Sequence, residues 1–195
     1  MQKNGTAVII NYSIPLKGVV FLNQKIFNDA IAEIAHFMYN VGITEKPEIS
    51  FFEDDNGVFE RLFTEHITDE NVLALKAVSE DLYLRILGMH GFGAGAYTAA
   101  KQLESGKSVS DFTEEEIDGI FLDFDKRDAF ELALEKMGIA LDSGNRQMLD
   151  RVIVIGMKET KLIAKENAAE PENIKAFMQV LFNAGISVYK SVKKV

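Results

Sequence analysis

The chain reads as an α+β protein: N-terminal β-hairpins around one helix, followed by a mainly helical C-terminal half, within a single domain of 195 residues. Three observations lead there. Two β-branched, apolar runs flank Pro15 near the start. Asn56-Gly57 separates two segments rich in aromatics and β-branched residues. After Thr68, helix-start and helix-stop residues recur to the end. The loose division falls between a strand-rich 1–66 and a mainly helical 67–195.

Thr6–Tyr12 and Lys17–Leu22 are joined by Ser13-Ile14-Pro15-Leu16, and proline cannot donate to a sheet ladder, so they predict a first hairpin. Asn23 is a candidate N-cap for a helix to Val41, with Phe27, Ile31, Ile34, Met38 and Val41 on one stripe. Gly42-Ile43 closes it. Glu48–Asp55 and Val58–Thr64 flank Asn56-Gly57, the pair that supplies two positive-φ residues for a type I′ turn, and predict a second hairpin. Both faces of that ribbon carry aromatics, which suits an oligomer contact.

Thr68-Asp69-Glu70 predicts a helix start, continued by Val72, Leu75, Val78, Leu82 and Ile86 at helical spacing. A further helix is predicted from Ala94 to Glu104, closed by Gly106. Thr113 and Glu116 have the spacing of a capping box. Asp125 or Asp128 opens another helix, ending at Gly138-Ile139. Glu170-Pro171 opens the last, carrying Ile174, Phe177, Met178, Leu181 and Phe182 on one face and ending at Gly185-Ile186. Val152–Ile155 is β-branched and Ile186–Val192 alternates, so both read as late strands joining the sheet. The alternative is an α/β sheet with Tyr83–Leu87, Ile120–Phe124 and Val152–Ile155 as parallel strands.

Composition narrows function by exclusion. The absence of cysteine rules out disulfide frameworks, thiolate nucleophiles and Cys-ligated zinc. A net charge of −9 repels phosphate backbones, so nucleic acid is not an expected partner. Only Ala7–Ile10 is continuously apolar at the N-terminus, far short of a signal h-region or a membrane span. A soluble, cytoplasmic protein without membrane contact is the expectation.

The densest cluster of unusual residues is Gly88-Met89-His90-Gly91-Phe92-Gly93-Ala94-Gly95-Ala96. Gly91–Ala96 matches the G-x-G-x-x-G/A phosphate turn of dinucleotide folds, in which glycines let the backbone approach a pyrophosphate. His90, Gly91, Phe92, Gly93 and Gly95 are therefore the candidate ligand-binding residues, for a small anionic ligand. The opposing reading is a glycine-broken bend that lets two helices pack closely.

Ile120-Phe121-Leu122-Asp123-Phe124-Asp125 resembles the first motif of haloacid-dehalogenase-type phosphatases, an apolar strand ending in Asp-x-Asp. That resemblance spans six residues and implies Asp123 as nucleophile and Asp125 as general acid/base, with magnesium bridging. Lys126-Arg127 departs from the family's Gly-Thr, and Gly156–Glu159 lacks its metal-holding aspartates. Glu33 and His36 form a lone E-x-x-H, where a di-iron bundle needs two such pairs and two further Glu. The acidic stretch Asp111–Glu135 lacks the ligand spacing of an EF-hand. No metal site is expected and no cofactor is indicated.

Two functions stay open from sequence. One is a non-enzymatic ligand- or protein-binding protein that self-associates as a homo-oligomer. The other is a phosphate-handling enzyme using Gly91–Ala96 or the Asp123/Asp125 pair.

Overall fold

The computed structural model describes residues 57–140, 142–159, 162 and 170–194, with 32, 33, 36, 39, 40 and 42 as isolated positions. Among these residues there are helices and no strand. The α+β expectation is overturned, and the parallel-sheet alternative with it. The first hairpin, and the Glu48–Asp55 arm of the second, lie outside the described residues. Within the expected helix from Asn23 to Val41, Ala32, Glu33, His36, Tyr39 and Asn40 are helical.

The helices are α1 (Val58–Thr68), α2 (Glu70–Val78), α3 (Glu80–Ser105), α4 (Glu114–Lys126), α5 (Ala129–Met137), α6 (Ser143–Glu159) and α7 (Pro171–Lys193), with a 3₁₀ turn at Val109–Asp111. Gly57 does adopt positive φ, at 81°, but as the residue before α1 rather than in a hairpin. The second arm, Val58–Thr64, is helix. Its apolar residues explain this: Val58, Phe59, Leu62 and Phe63 recur at i, i+1, i+4 and i+5, and all four are buried on one face.

Short polar residues set several of the helix starts after α1. The Asp69 carboxylate accepts from the amides of Asn71 and Val72 and starts α2, while the Ser79 hydroxyl accepts from Leu82 and starts α3. The periodic run from Val72 to Ile86 is thereby cut into two helices. Thr113 and Glu116 form the reciprocal capping box, the Glu116 carboxylate taking the Thr113 amide at 2.8 Å and the Thr113 hydroxyl the Glu116 amide at 3.3 Å. Gly106 and Gly138 are left-handed caps, at φ 69° and 75°.

The β-branched run Val152–Ile155 lies inside α6, where Leu149, Val152, Ile153 and Met157 are buried at helical spacing. Tertiary packing here overrides the strand propensity of branched side chains. Ile186–Val192 likewise continues α7, which passes through Gly185 without a break.

Helix α3 is the axis of the molecule. It is buried continuously from Gly91 to Ala100, so its neighbours surround it rather than cover one stripe. Helix α7 lies along it most closely. A Cβ on Gly91 would meet the Met178 carbonyl oxygen at 2.9 Å, and one on Gly95 would meet that of Phe182 at 1.9 Å. The contacts climb both helices in the same direction, so α3 and α7 run parallel. On another side, a Cβ on Gly93 would fall 2.4 Å from the Phe130 amide nitrogen, which marks where the first turn of α5 crosses α3.

Candidate functional site

The glycine cluster builds a site indirectly. It is neither a turn nor a bend: Gly91–Ala96 is uninterrupted helix, its amides directed along the helix at carbonyls one turn back. Gly91, Phe92, Gly93 and Gly95 are buried against neighbouring helices. Of the five candidate ligand-binding residues, His90 alone reaches a partly open surface, its side chain 26% exposed.

The absence of a side chain at Gly93 is what gives His90 its partner. Because α5 starts in backbone contact with α3, its N-cap residue Asp128 stands over the histidine three residues before that glycine. One carboxylate then does two tasks. Asp128 Oδ1 accepts from the amides of Phe130 (2.9 Å) and Glu131 (3.2 Å), capping α5. Asp128 Oδ2 lies 2.9 Å from His90 Nε2. Burial pushes the Asp128 carboxyl up, but the bond from His90 and the two amides hold it net below the usual carboxylate range.

The other ring nitrogen, His90 Nδ1, is 3.0 Å from Nε2 of His66, in the last turn of α1. Burial, and then the nearby His90, lower the His66 pKa to about 4, with Asp69 and Asp128 opposing more weakly. His66 is therefore a neutral imidazole at neutral pH. Three elements meet here: α1 supplies His66, α3 His90, and the start of α5 Asp128. Sequence reasoning found His90 and missed both partners, because separations of 24 and 38 positions leave no local spacing to read.

The Asp-x-Asp pair takes a different form from the phosphatase motif. Asp123 and Asp125 lie on α4, and two helical steps turn side chains to nearly opposite sides. Asp123 accepts the Tyr97 hydroxyl at 2.5 Å and lies 3.3 Å from Lys101 Nζ. The Tyr97 bond, more than the lysines, draws its carboxyl below the ordinary range; burial and the same bond push the Tyr97 phenol far up. Asp125 is solvent-exposed.

A second concave feature lies at the far end of the α3–α7 pair. A groove of about 420 Å³ is lined by Ala99, Gln102, Leu103, Lys107, Tyr189 and Lys190, with Gly106 at its edge. Ala99 and Tyr189 are buried beneath it, and Leu103 is 44% exposed at its rim. The Gln102 Oε1 atom is buried with no hydrogen-bond partner among the described residues. Lys107 is held by Glu116 at 2.5 Å. Among the described residues, no carboxylate, imidazole or serine lines the groove.

Leu73, Val78 and Leu82, around the α2–α3 junction, are exposed at 44%, 84% and 45%, and α2 buries none of its residues. No described helix is long and apolar enough to cross a membrane. No family model, curated protein or solved structure matches the chain.

Proposed function

We propose that this chain is a non-enzymatic, helical binding protein that takes a small amphipathic anion in the groove between the C-terminal ends of α3 and α7. The observation that carries the reading is the buried, unpartnered Gln102 Oε1 in the groove lining. Leaving a buried acceptor unpaired costs about 1–3 kcal/mol, and turning the Gln102 side chain into the groove would let a ligand donor recover that. Around it stand Ala99, Leu103 and Tyr189 and the side chains of Lys107 and Lys190. The volume lies within the range of small-molecule sites, about 300–1,000 Å³. The occupant this lining suits has an apolar body, one hydrogen-bond donor and one anionic group.

The anion assigned by sequence to the glycine cluster thus moves to the other end of the same helix. At 1.5 Å of rise per residue, His90 and Gln102 are about 18 Å apart along α3. Self-association belongs to the same reading, with the exposed Leu73, Val78 and Leu82 as its surface.

A thermal-shift series with octanoate, indole-3-acetate and inorganic phosphate tests the groove. The organic carboxylates should raise the melting temperature in a saturable way, and Leu103→Glu should abolish the rise by placing a like charge at the rim. No shift with any carboxylate, or an undiminished shift in Leu103→Glu, refutes the groove. Light scattering of the wild type and Val78→Glu tests self-association separately.

A further inference from the structure

We infer that His66 and His90 form a binding site for a first-row transition dication of the zinc, nickel and copper(II) class, with Asp128 orienting His90 from behind. The His90 Nδ1 and His66 Nε2 atoms are 3.0 Å apart. Two imidazole nitrogens, each about 2.0–2.1 Å from one ion, are separated by about 2.9 Å at the right angle of nickel and copper(II) and by about 3.3 Å at the tetrahedral angle of zinc, and the observed spacing lies between. Backbone movement is not needed to reach that spacing.

Ring placement supports the same geometry. The ring centres are 4.5 Å apart with planes at 58°. A straight N–H···N bond of this length would set the centres about 5.3 Å apart. The rings therefore do not meet end to end but are bent about the N···N line, as two rings facing one ion would be.

Asp128 supplies the outer support. A metal-bound histidine typically donates its remaining N–H to a carboxylate, which fixes the tautomer and leaves the other nitrogen's lone pair for the ion. Asp128 Oδ2, 2.9 Å from His90 Nε2, does this and directs Nδ1 at His66. The metal-free arrangement is then Asp128 accepting from His90, with His90 Nδ1 accepting from His66 Nε2–H. On metal entry that His66 proton moves to Nδ1 of the same ring, so no proton is released. Charge is favourable too, since Asp69 and Asp128 are the carboxylates acting on His66.

Among the described residues no group of three or more His, Cys, Asp or Glu converges on one point, so water fills the remaining positions. With His90 partly exposed, solvent reaches them. The site is open and exchangeable rather than a closed structural one.

The test is calorimetric titration of zinc, nickel and copper(II) chlorides into chelator-stripped full-length protein. The expected result is saturable binding of a single ion per chain. It should fall about tenfold or more in His66→Gln and in His90→Gln, and remain unchanged in His36→Gln. Asp128→Asn should weaken it about 10–100-fold, because asparagine keeps the α5 cap and loses the charge. Should a histidine variant unfold, NMR on the wild type decides: nickel or copper must broaden the His66 and His90 ring resonances before that of His36. Absence of saturable binding, binding that survives in the folded double variant, or broadening of His36 first overturns the site.

Discussion

Gly95 and Gly185 hold α3 and α7 in mutual backbone contact. A Cβ on Gly95 would lie 1.9 Å from the Phe182 carbonyl oxygen, and a Cβ on Gly185 would lie 2.0 Å from that of Phe92. Each helix thus points an α-carbon hydrogen at the other's carbonyl. Individually these weak contacts contribute little, but they require axes too close for any side chain. Gly95→Ala and Gly185→Ala must separate the helices and should each cost about 3 kcal/mol or more, at the upper end of overpacking effects. Gly119→Ala is the contrasting case. Gly119 is exposed on α4 with nothing within 4 Å of an added Cβ, so alanine should stabilise by about 1 kcal/mol. Urea denaturation of the three variants checks both directions.

His66 makes stability depend on acid. Its pKa is near 4 in the fold, against about 6.5 in the unfolded chain, so between these values the unfolded state binds the extra proton. Stability contributed by the neutral ring is complete above about pH 6.5 and is lost as pH falls toward 4. The full loss approaches about 3 kcal/mol, from roughly 2.5 units at 1.36 kcal/mol each. Denaturation at a series of pH values, in chelator, should show this slope in the wild type and a flatter one in His66→Gln.

Thr98 is fully buried and its Oγ1 has no hydrogen-bond partner among the described residues. Thr98→Val replaces that hydroxyl with a methyl of similar shape and should stabilise by about 1 kcal/mol. A thermal melt that rises by several degrees agrees; a fall indicates a partner for the hydroxyl.

Tyr97 and Asp123 join α3 to α4. Tyr97→Phe removes the hydroxyl bond and should cost about 1–2 kcal/mol, leaving Asp123 to Lys101 and Lys126. Because that bond is the main cause of the lowered Asp123 carboxyl, its titration in the variant should move up toward the ordinary range. Carboxyl NMR titration reads this directly.

Helix ends were legible in the sequence because caps are local chemistry. Thr113 with Glu116, Glu170-Pro171, Gly106 and Gly138-Ile139 all mark the boundaries they announced. The face of the last helix was legible as well, with Ile174, Phe177, Met178, Leu181 and Phe182 buried. Among the described residues, what failed was every inference from β-branching or alternation. Ile186–Val192 belongs to a helix buried on more than one side, where apolar residues lose the one-face pattern that separates helix from strand, whereas Val152 and Ile153 lie on a one-face stripe with Leu149 and Met157 that the β-branching of Val152–Ile155 obscured. Asn56-Gly57 misled for a related reason. A positive-φ glycine also serves to enter a helix, and only the spacing of Val58, Phe59, Leu62 and Phe63 tells the two apart. For the site, His90 stood out through its glycine neighbours. Asp128 was visible only as a possible cap, and His66 carried no signal.

Residue-resolved amide hydrogen exchange over 88–99 bears most directly on the claim that the glycine cluster is a buried helix interface. Those amides should exchange among the slowest in the chain, at rates that inorganic phosphate leaves unchanged. Rapid exchange there, or protection appearing only once phosphate is added, would mean that the segment is an open anion-binding turn and would contradict the account.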